Sequence, residues 1–415
     1  MQLFVKKYFY HLGLLAIGLG WLLLLIHWLS IDAQTIIFPD AGDYNVSATN
    51  LYHHFRGHCY RPMLMAAIYG FPLLFGATAF DLYTIAIYIN IVLWLATIHI
   101  LFEIVKKYVS LQIAFLISLV FIFFISNALF NFHLLAETPF LFFLLLGVYF
   151  LQKYQQKKKV TYLIVALSII VLSMLIKPAS KFFAILMLVY FLRIVYQNYK
   201  QKIMLVLYGS ITLCFVQAAG LKYQFGDFTI SYIDSVTFHN YLFSKADCYR
   251  NGIVYEQIGN PRAELLFTKK AHEQKQIANQ DIKEQILNNK VNLLKAYFHN
   301  FLWNTASGNM VINAYHNAKQ KENFERNQIV LYWISKYQNR CMTLLGILIS
   351  LWTLLKVGRK DVMLLFTAIL VLYIIGISGI SSDQGDRFHL ITYPFTLILI
   401  ANYLKTKPFF VPPQK

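Results

Sequence analysis

The 415-residue chain is 58% hydrophobic and 17% aromatic with only 13% charged residues, and its apolar residues run in blocks longer than the core helices of soluble domains. Continuous blocks exclude a transmembrane barrel, whose strands alternate, and predict an all-α polytopic membrane protein. The net charge of +18, from 37 Lys and Arg against 19 Asp and Glu, sits mostly in short loops, where bilayer orientation accounts for it without nucleic acid as a partner.

A spanning helix needs about 20 mostly apolar residues to cross about 30 Å of hydrocarbon. Hydropathy predicts about ten spans, at roughly 8–30, 78–104, 111–130, 135–152, 160–177, 180–197, 202–221, 338–356, 361–380 and 388–404. The first follows Lys6 and Lys7, exceeds the apolar core of a cleavable signal and lacks a small-residue cleavage site, so it reads as a retained anchor. Lys106 and Lys107, Lys153 with Lys157 to Lys159, Arg193 with Lys200 and Lys202, Lys356 with Arg359 and Lys360, and Lys405 with Lys407 then close alternate spans. The positive-inside rule puts these loops and both termini in the cytoplasm, and the expected location is a bacterial inner membrane.

The remaining polar segments fall together on the outer side: the loop 31–77, the turns "NFHLLAET", "IKPASK" and "SSDQGDR", and the segment 222–337. Three regions result: a core of residues 1–221 that includes the first outer loop, an extracytoplasmic helical segment at 222–337, and C-terminal spans at 338–415. Within the first loop, "FPDAGDY" opens an interfacial helix whose apolar positions include Tyr44, Ala48, Leu51, Tyr52 and Phe55. Asp40 and Asp43 at its start serve either as helix caps or as working carboxylates. The apolar stretch 62–76 is too short to cross and is expected to lie in the interface or re-enter. In the long outer segment, "AELLF", "IKEQIL" and "VNLLKAYF" give helical stripes from Pro261 through Ala296. Four cysteines, Cys59, Cys214, Cys248 and Cys341, show no metal spacing; a Cys59–Cys248 disulfide is conceivable, and unpaired thiols are the simpler reading.

The outer turns supply the chemistry. Glu137 opens the fourth span. Lys177 and Lys181 flank Pro178 and either bind an anion or extend as ordinary interfacial lysines. Arg387 offers a fork of donors suited to phosphate, or else pairs within its loop with Asp383 or Asp386. A carboxylate beside cations at a membrane border suits sugar transfer from a polyprenyl phosphate: the tail stays in lipid, the phosphate leaves as an anion, and the carboxylate takes the acceptor's proton. No Gly-rich phosphate loop and no zinc-spaced His or Cys set is present in the sequence.

"PDAGDYNVSATNLY", "YRPMLMAAIYGFPLLFG", "LLAETPFLFFLLLGVYFL", "MLIKPASKFFAIL" and "GDRFHLITYPFTLILIANYL", in that order, resemble the GT-C superfamily of integral membrane glycosyltransferases, in particular the bacterial aminoarabinose transferases and the protein O-mannosyltransferases. The resemblance implies a shared membrane core, a catalytic acid in the first outer loop, and inverting attack on a lipid-linked sugar. On this chain it implies catalysis by Asp40 or Asp43; the family's adjacent acidic pair is split here by Ala41 and Gly42, so which one is the base stays open. Arg61, before Pro62, stands where the family carries a basic residue, and Arg61, Lys177, Lys181 and Arg387 are the expected phosphate and donor ligands. Tyr44, His133, Glu137 and Asp386 are the expected sugar or acceptor contacts. No cofactor is required; some family members use a divalent metal, for which Asp40, Asp43 and Glu137 are possible oxygen ligands. The partners implied are the polyprenyl-phosphate sugar donor, a glycan, lipid or protein acceptor, and membrane lipids. A polysaccharide polymerase or ligase, centred on the late outer segment, is the alternative enzyme. A transporter or flippase is the alternative without chemistry, for which His27, Asn90, His99 and Gln217 are scattered polar candidates within the spans.

Overall fold

The computed structural model describes residues 2–31, 38–257, 259–314, 323–357, 361–382 and 384–406, and these are helical throughout, with no strand among them. The first group of helices is α1 (Gln2–Leu29), α2 (Pro39–His54), α3 (Met63–Gly70), α4 (Asp81–Val105), α5 (Leu111–Ile122), α6 (Ile125–Leu129), α7 (Glu137–Lys157), α8 (Val160–Ser173), α9 (Lys181–Tyr190), α10 (Leu192–Gln197) and α11 (Met204–Phe225). The expected outer segment folds as α12 (Ile233–Val236), a π-helical stretch at Thr237–Phe243, α13 (Ser244–Asn251), α14 (Pro261–Phe267), α15 (Ala271–Asn288) and α16 (Lys290–Ala306). The chain then ends with α17 (Phe324–Lys356), α18 (Val362–Ile377) and α19 (Tyr393–Leu404).

Tyr8–Leu29, Asp81–Val105, Met204–Phe225 and Val362–Ile380 are long and apolar enough to cross a bilayer. Leu111–Ile122 and Ile125–Phe132 make a further span if their 66° bend is crossed as one unit. The chain is therefore an all-helical, membrane-embedded protein. The other expected spans take different forms. Residues 160–177 give a helix of 14 residues ending at Ser173, 180–197 divide into α9 and α10, and 388–404 become a 3₁₀ turn at His389–Thr392 followed by the 12 residues of α19. The expected 338–356 is the lower part of α17, which runs for 33 residues.

In the centre, α7 packs against α4 and α8, and α8 in turn against α11; α17 packs on α18 and α19, and the two sets meet through α4 with α19 and α7 with α18. The apolar core, including Trp94, Phe102, Phe121, Phe140 and Phe395, is continuous through both sets. The outer segment has its own small core of Leu242, Phe243, Ala246 and Ala296. Ion pairs join its helices: Arg262 reaches Asp247 and Asp281, and His239 lies 2.7 Å from Asp281. All four cysteines are free thiols, so the Cys59–Cys248 pairing is not made.

This segment grips two of the three loops that carry the cations discussed next. At one, the Tyr232 N–H donates to the Cys59 carbonyl over 2.9 Å and the Ser231 hydroxyl to the Tyr60 carbonyl over 2.7 Å. At the other, Asn304 Nδ2 donates to the Ser378 and Ser381 carbonyls over 2.9 and 2.7 Å. Residues far apart in sequence are thereby held at one end of the helical bundle.

A candidate active site built on alternating charges

Pro39 occupies the first turn of α2, where its missing N–H costs nothing, and the capping position is Phe38 in extended conformation with no side-chain cap. Asp40 therefore does not cap the helix. Its carboxylate turns to two arginines: Oδ1 lies 3.1 Å from Arg61 Nη2, and Oδ2 lies 2.6 Å from Arg387 Nη1. The same Arg61 Nη2 lies 2.9 Å from Asp43 Oδ2, and the guanidinium carbon stands 4.6 Å from the centre of the Tyr44 ring. Ala41, Tyr44 and Ala48 are buried as the helical stripe requires, whereas Phe55 ends the helix in a left-handed conformation and is exposed.

Arg387 continues the string. Its Nε donates to Glu137 Oε1 over 2.5 Å, and Lys177 Nζ reaches the same oxygen over 2.8 Å. Two rings flank these cations, Phe38 at 5.3 Å from the Arg387 guanidinium and Phe388 at 5.2 Å from the Lys177 ammonium. The order of charges is Asp43, Arg61, Asp40, Arg387, Glu137, Lys177. Glu137 is 0% exposed, which a carboxylate tolerates only with cations in direct contact. Burial alone raises the proton affinity of Asp40; the charges of Arg387 and Arg61 and the hydrogen bond from Arg387 outweigh it and hold the carboxyl well below the usual range.

The remaining expected residues take other places. Lys181 is not part of the string: the backbone at Lys177 is extended (φ −141°, ψ 115°), so the spacing of four does not align the two ammonium groups, and Lys181 lies over the Phe182 ring at 5.0 Å. Asp386 is fully buried and accepts from the Ser126 hydroxyl; it is not the partner of its neighbour Arg387. Burial pushes the Asp386 carboxyl up to about 7, against the Ser126 hydrogen bond and one from its own backbone. Asp383 lies outside the described residues. His133 is buried with its ring 6.1 Å from that of Phe38, and burial lowers its imidazole to about 3, so it is neutral. Asp40 and Glu137 are bridged by a guanidinium, and among the described residues no group of three His, Cys, Asp or Glu side chains is placed to hold a metal ion.

Two supports of the site stand in the sequence only among the polar candidates of the transporter alternative, Asn90 and Gln217. The Tyr69 hydroxyl contacts Asn90 Oδ1 at 2.6 Å and the Leu135 carbonyl at 2.7 Å, and Asn90 Nδ2 donates to the His133 carbonyl over 2.8 Å. Together they fix the turn that sets Glu137 at the start of α7. Gln217 likewise accepts from the Met63 N–H over 3.2 Å and donates to the Ile230 carbonyl over 3.0 Å, tying α11 to the start of α3 and to the outer segment. An isolated amide inside an apolar helix is the one sequence feature that marks both.

Chemically, the arrangement alternates three carboxylates with three cations, each cation in contact with at least one carboxylate. Comparison of the chain with family models, with curated proteins and with solved structures finds no match.

Proposed function

We propose that the chain is a glycosyltransferase of the GT-C type, which moves a sugar from a polyprenyl phosphate to a glycan, lipid or protein hydroxyl at the outer face of a bacterial inner membrane. In this reading the shorter helices complete about ten crossings, both termini lie in the cytoplasm, and the charge string faces outward. The observation that carries it is the single guanidinium of Arg387 shared between Asp40 and Glu137, with Lys177 behind it and Arg61 in front.

The reaction follows from that sharing. The acceptor oxygen attacks the anomeric carbon from the face opposite the phosphate, the bond from carbon to phosphate oxygen breaks, and the configuration inverts. Asp40 accepts the acceptor's proton, and Arg387, Lys177 and Arg61 receive the departing phosphate. A carboxylate paired with two arginines is ionised but weakly basic. When a phosphate competes for the Arg387 and Arg61 donors, Asp40 loses that stabilisation and its proton affinity rises where the proton must be taken. Glu137 holds Arg387 and Lys177 in register, and Asp43, at the exposed end of the string, steadies Arg61.

Two of the transporter alternative's candidates, Asn90 and Gln217, are buried and hydrogen-bonded to backbone groups of turns and helix starts, which favours a structural role for them. Replacing Asp40 with Asn keeps the size and removes the base. Transfer from a synthetic polyprenyl-phosphate sugar by the purified variant is expected to fall by about 10²–10⁴-fold with membrane insertion intact; transfer at the wild-type rate removes Asp40 from the mechanism.

A further inference from the structure

Helix α16 is built inside out. Its buried residues are Ala296, Asn300 and Asn304, while Val291, Leu294, Phe298 and Leu302 are 75%, 57%, 52% and 62% exposed. At 100° per residue these four occupy one narrow stripe, flanked by the exposed Lys290 and Lys295. In water such a helix has its faces reversed. The same reversal marks α11, a candidate span, which buries Ser210 and Gln217 and exposes Leu205 and Phe215. The neighbouring α15 also buries amides, Gln274 and Gln285, and exposes Ile286 and Leu287 at its end, but over 273–284 its outward residues are polar: Glu273, Gln276, Asn279, Gln280, Lys283 and Glu284. One helix of this segment thus has an exposed face that is mostly polar and the next has one that is apolar.

Depth is fixed by what α16 touches. The Tyr297 hydroxyl donates to the Gly376 carbonyl over 2.6 Å, inside the candidate span Val362–Ile380. Its ring lies against Gly379, where a Cβ would come within 2.5 Å of it, so only glycine permits the approach. Asn300 and Asn304 donate to carbonyls of the same turn, and Asn339 of α17 donates to the Asn304 carbonyl over 2.7 Å. The exposed stripe of α16 is thus level with the end of a spanning helix.

We propose that α16 is immersed in the leaflet at the charge-string end of the bundle, with Val291, Leu294, Phe298 and Leu302 among acyl chains and Lys290 reaching up to lipid phosphates. The partner is the lipid surface itself. This rests on the membrane-embedded character of the chain and not on the transfer reaction. Its consequence for the site is mechanical: the buried face of α16 grips residues 378–381, next to the turn that presents Arg387, so the depth of that turn is set by lipid.

The test uses the full chain in liposomes of phosphatidylethanolamine and phosphatidylglycerol containing a trace of phosphatidylcholine with a diazirine in its acyl chain. After irradiation, peptide mapping by mass spectrometry is expected to find adducts on residues 291–302 at a yield comparable to the exposed stripe of α11, and several-fold above residues 273–284 of α15. Labelled α11 with unlabelled 291–302 means that water or another protein segment covers the stripe, and overturns the proposal. Leu294→Asp with Phe298→Asp is expected to deplete adducts on α16 alone; undiminished labelling there overturns it equally.

Discussion

Asp386 and Arg387 are adjacent, yet they answer to different surroundings. Arg387 is satisfied by two carboxylates from elsewhere in the chain, whereas Asp386 has the Ser126 hydroxyl and no cation in contact. Its carboxyl sits near 7 because burial penalises the charged form. From its ordinary value of 3.8 up to about 7 the unfolded chain gives up the proton and the folded chain keeps it, so stability falls as pH rises through that window and is level above it. Asp386→Asn has no proton to lose and still accepts from Ser126. The gap between the thermal midpoints of variant and wild type in detergent is therefore expected to widen in the variant's favour from pH 4 to 7; a gap independent of pH would show that the carboxyl is ionised throughout. The sequence marks Asp40, Arg61, Glu137, Lys177 and Arg387 as unusual, since each stands in a polar turn beside an apolar block. It is silent on who pairs with whom, because the partners of Arg387 lie hundreds of residues away and the shorter-range choice, Asp386, is the wrong one.

Among the elements, the 3₁₀ turn Gly385–Arg387 does the aiming. Gly385 has φ +55°, and a Cβ there would meet the side chain of Met310 and lie 2.7 Å from the Gly308 carbonyl oxygen. Gly385→Ala is expected to cost about 2–4 kcal/mol from the left-handed backbone and the overpacking. Because Arg387 is two residues on, transfer should fall further than the loss of folded protein explains, which thermal unfolding and activity on the same sample will show. Helices with long apolar periods were legible beforehand: α1, α4, α11 and α18 stand close to where hydropathy puts them. Those that break were not, since nothing in "IKPASKFF" distinguishes an extended Lys177 from a helical one, and "FIFFIS" gives no hint of the 66° bend between α5 and α6. The second break is held by a tertiary contact: Gln338 of α17 accepts from the Ile125 N–H over 3.0 Å and donates to the Phe123 carbonyl over 2.9 Å.

Across the whole molecule, the composition of the outer segment predicts helices but not which of them meet water, because α15 and α16 differ in what lies behind them more than in length. The charge string poses a question of the same scale. Its three carboxylates and three cations cancel, so the cluster presents no surplus field to an approaching anion, and His133 beside it is neutral. An incoming phosphate therefore leaves the assembly with excess negative charge, in a place where burial makes that costly. Neutrality is restored most simply from solvent. Calorimetric titration of a polyprenyl phosphate into the detergent-solubilised protein, repeated in buffers of differing ionisation heat, should show a fraction of a proton to one proton taken up per ligand bound, and a heat that does not vary with buffer would mean that the ligand sits elsewhere.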